Sequence, residues 1–491
     1  MMHALSRSLP SRRGGAIFHL LGCFAVASGL LIFVMWFGMN SDRDRIPPLL
    51  TQLIPAGHCT CTSSTIFQCD SCLSCAASDL SINGPTSSKP YWKFQYGRDD
   101  QNEGLERAQC QVAFPGLFED VSRATNYWRE RGGITVDDLD AIHLQYGMAR
   151  AFIHKGELYV VAARAKGEDH RRKIVATLGQ IHRALVASPE RAFQHDLEFV
   201  FSIEDRVDDV VEDPDHPIWV LARKPTEQAV WLMPDFGFWA WDNLYNTIGP
   251  YDQVVHRIKD ADIPWSEKKK QLVWRGKPSF APKLRRALMD AARGKPWDDV
   301  KSIDWYRKTN VIKMEDHCHY MFIAHVEGKN PTGLALFLTS FFNDSLGRSY
   351  SASLKYRQAC RSVVVAHKLQ FIQHHHYLLV SSGPNQNFVE VERNFTDLAE
   401  KIEPLVANTA LAERIADNNV KTFRERYLTQ AAEACYWRAL FDGYARVSNQ
   451  NVTLWSEKDH KARGLRYESF VMLESRLMYD FSSSVSSQWY V

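Results

Sequence analysis

The sequence predicts an α/β protein with two similar domains that face each other across a cleft, preceded by one membrane-spanning helix. Short apolar runs rich in β-branched residues alternate with amphipathic helical stretches, which is typical of parallel sheets covered by helices. The alternation restarts after Pro264, and 491 residues are enough for two cores, because single cores rarely exceed roughly 250 residues. An apolar run without charged side chains occupies positions 17–37.

This apolar run predicts a signal anchor. As a helix it spans roughly 30 Å, the thickness of a bilayer's hydrocarbon layer, and it is longer than the core of a cleaved signal peptide and lacks a clear cleavage site. The positive-inside rule places the N-terminus in the cytosol, because the charges after the run cancel and three arginines precede it, Arg7, Arg12 and Arg13. We expect a cytosolic tail over 1–14, an anchor over 15–38 and a luminal remainder; a buried core helix or a signal peptide is the alternative.

A stem rich in Ser, Thr, Pro and Cys is predicted for residues 39–89. Its five cysteines lack the paired spacing and the His partner of a zinc site: Cys59, Cys61, Cys69, Cys72 and Cys75. In an oxidising lumen we expect disulfides, whose pairing stays open, and the odd count leaves one thiol free or paired with Cys110 or another chain. Glycosylation is expected at the sequons of Asn394 and Asn451, and Asn343 begins a third.

The first α/β domain is predicted over residues 90–262. Up to about residue 150 the pattern is helical, with a clear helix between the Pro-Gly at 115–116 and the Gly-Gly at 132–133. Beyond it, a helix at 170–188 stands among apolar strands, which we predict at 156–165, 196–207, 217–224 and 229–236.

The second α/β domain is predicted over residues 263–446, and a C-terminal extension follows over 447–491. Strands are predicted at 268–277, 318–328, 362–367 and 376–381. Helices are predicted at 282–294, 353–361, 397–406, 411–428 and 431–447, and the last of these are long enough to cross back to the first domain.

The charge balance and the spacing of the histidines argue against two kinds of partner, nucleic acid and a metal ion. With 59 basic and 57 acidic side chains and no long run of either sign, nucleic acid is not an expected partner. His317 and His319 flank a cysteine, and three adjacent histidines occupy 374–376. Adjacent residues of a strand point to alternating faces and cannot all reach one ion, so no metal site is expected at 374–376.

Several blocks, in order, resemble glycosyltransferase family 90, which includes the Rumi-type protein O-glucosyltransferases and fungal capsule-associated xylosyltransferases. The resemblance covers about residues 90–446 and rests on "QCQVAFPGLF", "FVFSIEDRV", "WLMPDFGFWAW", "VWRGK", "DHCHYMFIAHVEG", "RSYSASLKYRQACRSVVV" and "TDLAEKI", with the fungal branch the most similar. It implies a GT-B fold of two Rossmann-like domains and an inverting transfer, without an essential metal, of a sugar from a UDP donor. The expected sugar is xylose or glucose, and the expected acceptor is a glycan or protein hydroxyl in the Golgi or endoplasmic reticulum.

The resemblance also implies which residues hold the donor. Cleavage of the sugar–diphosphate bond develops negative charge that must meet fixed donors when no metal is present. Three cations match basic positions of the family, Arg275, Arg285 and Lys355, and three hydroxyls lie where phosphate oxygens would be held, Ser349, Ser351 and Ser353. The alternative for each cation is a surface ion pair. UDP-sugar is a substrate here, and no cofactor is expected.

The sequence identifies the catalytic base less clearly than it identifies the donor-binding residues. In the O-glucosyltransferases an Asp follows an "LYR"-like strand, but here the stretch reads "LYVVAARAKGED" and has no acid at that place. Asp235 is the first candidate and Asp205 the second, because both end predicted strands on the cleft side and a carboxylate is the usual base. A turn acid is the alternative for Asp235. Phe236, Phe238 and Trp239 are expected to stack on sugar faces, with a core role as the alternative.

One segment departs from the family. Residues 329–347 separate Glu327-Gly328 from Arg348-Ser349, which stand together in the relatives, and half of them are apolar. We interpret this segment as a translated intron. The departures motivate one rival function, a catalytically inactive luminal binding or scaffold protein with the same fold, and the histidine groups motivate another, a metal-dependent hydrolase.

Overall fold

The computed structural model describes residues 92–189, 196–205, 215–240, 248–304, 307–328, 349–458 and 460–474, together with the backbone of two short strands at 59–62 and 68–72. The chain divides into two compact units, Met1–Trp92 and Lys93–Val491. In the first unit, strands β1 (Cys59–Thr62) and β2 (Gln68–Cys72) pair antiparallel, with Cys59 opposite Cys72. No helix in the described part of the chain is long and apolar enough to cross a membrane, and the anchor predicted at 15–38 lies outside that part.

The second unit begins with helices and then alternates strands with helices. Its first elements are α1 (Arg107–Ala113), α2 (Glu119–Glu130), α3 (Val136–Asp140), β3 (Met148–His154), β4 (Glu157–Arg164), α4 (Glu168–Val186), β5 (Leu197–Ser202), β6 (Ile218–Val220), β7 (Trp231–Leu232) and α5 (Tyr251–Ala261). The strands predicted at 156–165, 196–207, 217–224 and 229–236 are confirmed, although the last two are short. The helical pattern predicted up to residue 150 is wrong at its end, where β3 begins.

The later elements follow the same alternation. They are β8 (Lys269–Gly276), α6 (Pro282–Ala292), β9 (Asp298–Ser302), β10 (Tyr320–His325), α7 (Leu354–Ala359), β11 (Val363–His367), β12 (Val389–Val391), α8 (Leu398–Ala407), α9 (Thr409–Thr422), α10 (Gln430–Ala445), β13 (Trp455–Ser456), β14 (Lys461–Ala462), β15 (Leu465–Arg466) and α11 (Tyr467–Glu474). The strand predicted at 376–381 is wrong, because His376–Leu378 form a short 3-10 helix.

The two large sheets of this unit differ in topology. The first has the strand order β15-β4-β3-β5-β6-β7, in which only β5, β6 and β7 run parallel. The expectation of an all-parallel sheet is therefore wrong for this one. The reason is local: Lys155 and Gly156 both have positive φ and close a two-residue hairpin between β3 and β4. The second sheet, β12-β11-β10-β8-β9, is parallel throughout, as predicted.

Large aromatic side chains fill the core beneath the first sheet. Trp219 of β6 stacks on Phe199 of β5 with ring centroids 3.9 Å apart, and Tyr444 of α10 meets Trp219 edge to face. Helix α10 packs on α2 and α4 and buries most of its length. The predicted return of the last helices to the first half of the chain is thus confirmed for α10, which follows the second sheet in sequence and covers the first.

Several polar contacts join the two halves of this unit. Arg223, after β6, and Ile372, after β11, exchange two backbone hydrogen bonds (3.1 and 2.8 Å). The buried Asp120 of α2 accepts from Arg223 and from the hydroxyl of Tyr377, both at 2.8 Å. The Cys110–Cys435 disulfide, between α1 and α10, adds a covalent link between the halves, and Cys318–Cys360 links the segments that precede β10 and β11 within the second half.

Candidate active site

The carboxyl ends of the central strands of the second sheet form an edge where several polar side chains meet. β8 leads into α6, which carries Arg285, and β10 leads into Glu327 and Gly328. The backbone returns to this edge at Ser349, whose carbonyl oxygen accepts a hydrogen bond from the Gly328 N–H (3.1 Å), and continues into α7, which carries Arg357. Ligands of open α/β sheets bind outside the carboxyl ends of the strands, so this edge is the candidate site.

Two buried arginines supply the positive charge of this edge. Burial, and after it the charge of Arg285, lowers the pKa of Arg357 to about 9, and burial lowers the pKa of Arg285 to about 10. Within the described residues, the side chain of Arg357 has no carboxylate partner and donates to Nδ1 of His325 (2.8 Å). Neighbouring guanidinium groups in a region of low dielectric constant repel each other, and an anion bound beside them would remove that repulsion.

His325, the last residue of β10, is fixed in one neutral tautomer by this contact. An arginine can only donate, so Nδ1 of His325 accepts and the ring proton resides on Nε2. Burial and the charge of Arg357 lower the pKa of His325 well below its usual range. The ring therefore remains neutral at physiological pH and presents an N–H donor without adding charge.

Gly328 and Arg285 are in close contact. A Cβ atom at position 328 would collide with a terminal nitrogen of Arg285, so a larger residue there would require this guanidinium to move. The preceding Glu327 is buried and accepts hydrogen bonds from the backbone N–H groups of Gln370 and Phe371 (2.9 Å each) and from Arg393 (2.8 Å). Glu327 thus fixes the neighbouring loop against the same edge.

Lys355, predicted to hold the donor, and Asp235, predicted as the base, form a buried pair. The Lys355 ammonium lies 2.7 and 2.8 Å from the two Asp235 carboxylate oxygens, and each side chain is 1% exposed. Asp235 Oδ1 also accepts from the N–H of Gly237, where a Cβ would press on both partners. Burial lowers the pKa of Lys355, although the charge of Asp235 opposes that shift. The pair connects the end of the first sheet to α7.

Arg275, the third predicted cation, is bound elsewhere. Its guanidinium donates to the Asp299 carboxylate (2.9 Å) on the neighbouring strand β9 and to the backbone carbonyls of Asp299 and Trp274. The three predicted cations therefore do not form one clamp: Lys355 contacts Asp235, Arg275 contacts Asp299, and Arg285 lies with Arg357.

Asp205, the second predicted base, lies where the first sheet meets this edge. It follows β5, and its backbone carbonyl accepts a hydrogen bond from the Ser349 hydroxyl (2.8 Å). Asp205 is partly exposed, whereas Asp235 is 1% exposed. Burial raises the pKa of the Tyr350 hydroxyl, and the charges of Asp235 and Asp205 raise it further, so Tyr350 lies near both carboxylates.

The other predicted site residues differ in how far their side chains are exposed to solvent. The hydroxyls of Ser351 and Ser353 are 2.9 Å apart and partly exposed before α7, whereas Ser349 is buried. Phe236 is buried in the core, and Phe238 and Trp239 remain partly exposed. The sequons of Asn394 and Asn451 lie at exposed positions, while Asn343 lies outside the described residues.

The histidine clusters have structural surroundings. His317 Nδ1 bonds the carbonyl of Lys313 (3.0 Å), and Cys318 is in a disulfide. His374 Nε2 lies 3.2 Å from a carboxylate oxygen of Glu433. Across the residues with assigned positions, no three side chains of metal-ligating type converge.

Sequence reasoning missed Arg357 and His325. Arg357 lies two positions after Lys355 on α7, and residues at this spacing point to different faces of a helix. Lys355 therefore reaches Asp235 at the first sheet while Arg357 reaches the end of β10. A second basic residue on another face of the helix that carries Lys355 is the signal that would have revealed it.

Comparison with known proteins gives two findings. Residues 106–461, more than half of the chain, match the family described as Glycosyl transferase family 90. The O-glucosyltransferase rumi homolog of Aedes aegypti is 25% identical over 264 aligned positions, and the alignment covers 49% of this chain and 58% of that protein. The match therefore spans less than two thirds of the relative. The resemblance predicted from the ordered blocks is confirmed at the level of the family, and the fungal branch stays a prediction. The chain belongs to glycosyltransferase family 90.

Proposed function

We propose that the protein is an inverting, metal-independent glycosyltransferase that moves a sugar from a UDP-sugar to a hydroxyl of a glycan or protein. The paired guanidinium groups of Arg285 and Arg357 carry this proposal. Two buried guanidinium groups beside each other at the carboxyl edge of a parallel sheet suit a diphosphate, which two guanidinium groups bind through paired N–H···O contacts. The same groups stabilise the charge that develops on the leaving diphosphate.

In this proposal Asp205 is the base. It is the partly exposed carboxylate at the junction of the two sheets, beside Ser349, and it can meet an acceptor hydroxyl across the edge from the arginines. Asp235 holds Lys355, and this pair sets the position of α7 and so of Arg357. The fold proposed for the whole is GT-B, with the two sheets as the cores of the acceptor and donor domains, and Phe238 and Trp239 as stacking surfaces for a sugar ring.

The proposed place of action is the lumen of the endoplasmic reticulum or Golgi, with the N-terminal segment as a type II anchor. Two disulfides in the described part of the second unit support an oxidising compartment, because cytosolic thiols are kept reduced. Xylose and glucose are the donor sugars we propose first, from the family's members.

The test is UDP binding by titration calorimetry in the presence of a chelator. We expect the full chain to bind UDP without metal, and Arg357→Gln to weaken binding by at least about tenfold through loss of a charge-assisted contact. Arg361→Gln is the matched control, because Arg361 is four residues further on and already pairs with Glu413 and Asp417. UDP binding that requires a divalent ion, or that Arg357→Gln leaves unchanged, contradicts the proposal.

Turnover separates the transferase from its inactive rival. UDP-xylose, UDP-glucose and UDP-galactose are compared for UDP release with the chelator present. Release from any of the three supports a transferase, whereas UDP binding without release in the presence of candidate acceptors supports a binding protein. Release that the chelator abolishes supports the metal-dependent alternative.

A further inference from the structure

A second concave surface lies away from the sheet edge, between helices α1, α2 and α10. It encloses about 480 Å³, a volume typical of small-ligand sites. Its floor includes the Cys110–Cys435 disulfide, and Arg438 lies beside it, donating to the backbone carbonyls of Glu103 (2.6 Å) and Leu105 (2.9 Å). The disulfide fixes α1 against α10, so two of the helices that border the cavity are covalently held together.

Positive charge dominates the described lining of this cavity. Four arginines contribute to it, Arg107, Arg129, Arg438 and Arg446, against one carboxylate, Asp442. Arg107 pairs with Asp442 at 3.0 Å. Arg129 donates to the amide oxygen of Asn126 (2.8 Å), and neither Arg129 nor Arg446 forms an ion pair within the described residues. Arg129 belongs to α2 and Arg446 follows α10, so two guanidinium groups converge on one concavity from different elements.

The uncharged lining indicates the class of ligand. Gln111, Ser122 and Asn126 supply amide and hydroxyl groups that suit sugar hydroxyls, while Phe118 is the only aromatic residue in the described lining. A neutral sugar ring or a nucleobase is usually held by stacking on aromatic faces, for which this cavity offers little. A carboxylate, by contrast, matches a guanidinium group through two parallel hydrogen bonds.

We propose that this cavity binds an acidic saccharide, with uronate carboxylates on Arg129 and Arg446 and sugar hydroxyls on the amide and hydroxyl groups. The site does not rest on the proposed transfer reaction, because it is formed by other elements and its occupancy is measured without a donor.

The experiment measures binding of tetragalacturonate to the full chain by titration calorimetry. The double variant Arg129→Ala/Arg446→Ala removes two exposed side chains, so the fold is retained. The matched control is Arg293→Ala/Arg307→Ala, which removes the same charge at positions that are 73% and 85% exposed and do not line the cavity. We expect the first variant to weaken binding by at least about tenfold and the control to bind like the unaltered chain.

Two further ligands distinguish the source of the negative charge. The methyl ester of the same tetrasaccharide lacks the carboxylate charge, and inorganic phosphate has charge without a sugar. Weak binding of both supports an acidic-saccharide site. Equal affinity of the ester, displacement of tetragalacturonate by an equal concentration of phosphate, or unchanged affinity in Arg129→Ala/Arg446→Ala overturns the proposal.

Discussion

The Lys355 ammonium and the Asp235 carboxylate meet across 120 positions of sequence in a region from which water is excluded. Removing one partner of a buried pair leaves an uncompensated charge, which costs about 3–5 kcal/mol. We therefore expect Lys355→Met to destabilise the chain by about that amount. The double variant Asp235→Asn/Lys355→Met should recover most of the loss, because Asn keeps an oxygen for the Gly237 N–H. Denaturant unfolding of both variants measures the coupling, and a double variant no more stable than Lys355→Met would contradict it.

Asp205 and Asp235 differ in what their removal should change. We expect Asp205→Asn to reduce the transfer rate by about 10²–10⁴-fold without changing UDP affinity or stability, because a general base acts on the acceptor proton alone. Asp235→Asn should reduce stability and UDP affinity together, since α7 loses its anchor. Initial rates and UDP titrations of the two variants make the distinction. The two roles would be reversed if Asp205→Asn stayed active while Asp235→Asn stayed stable and bound UDP but lost activity.

At the scale of elements, the disulfides hold segments that are distant in sequence. The Cys318–Cys360 disulfide closes a loop with a sequence separation of 42 residues, and Cys110–Cys435 closes one with a separation of 325. The chain-entropy relation gives losses of about 4 and about 6 kcal/mol when they are removed. We expect Cys110→Ala/Cys435→Ala to destabilise the chain more than Cys318→Ala/Cys360→Ala does. Denaturant unfolding under oxidising conditions measures both. Stability of either variant within about 1 kcal/mol of the unaltered chain would count against the native pairing.

Periodicity predicted the elements whose patterns are determined locally. The long helix α4, strands β8 and β11, and helices α8, α9 and α10 follow from apolar spacing alone. Strand β3 was missed because its strand character depends on the hairpin at Lys155-Gly156 and on pairing with β5, which is distant in sequence. The short 3-10 helix at His376–Leu378 has the composition of a strand, but contacts with residues elsewhere in the chain hold it: the Tyr377 hydroxyl donates to Asp120, and the Asn387 amide donates to the Leu378 carbonyl.

At the scale of the whole molecule, the sequence indicated the family, but not how the cations of the candidate site are distributed. In the sequence alone nothing separates the three predicted cations, Arg275, Arg285 and Lys355, from one another. Their partners depend on the packing of strands and helices that are far apart in sequence. Arg275 pairs with Asp299, and Lys355 pairs with Asp235. What distinguishes Arg285 and Arg357 is burial beside another cation, which becomes visible only after β8, β10 and α7 are placed.

Buried neutral histidines predict how the stability of the molecule depends on pH. Burial lowers the pKa of His317 and of His367 to about 4, whereas an unfolded histidine titrates near 6.5. Between these values the unfolded chain binds more protons, so stability is complete above about pH 6.5 and falls as the pH drops towards 4, by about 3 kcal/mol for each histidine. Glu327 and Glu433 act in the opposite direction, because burial raises their pKa.

The measurement is the free energy of unfolding between pH 4.5 and 7. His317→Asn keeps a donor for the Lys313 carbonyl and should reduce the slope by about one proton, while His256→Asn, at a side chain that is 77% exposed, should not. Equal slopes for the unaltered chain and His317→Asn would show that His317 does not contribute.

A shortened chain tests whether residues 329–347 belong to the molecule. The Gly328 N–H and the Ser349 carbonyl oxygen are 3.1 Å apart, so the described residues on either side of the segment lie close enough in space for a short connection. We expect the chain without 329–347 to gain about 2 kcal/mol from reduced loop-closure entropy and to bind UDP at least as tightly. The control replaces 329–347 with a Gly-Ser segment of the same length. The contrary outcome is that this control and the unaltered chain bind UDP but the shortened chain does not. The edge formed by Arg285, Gly328 and Arg357 would then require the longer connection, and the segment would be a genuine part of the protein.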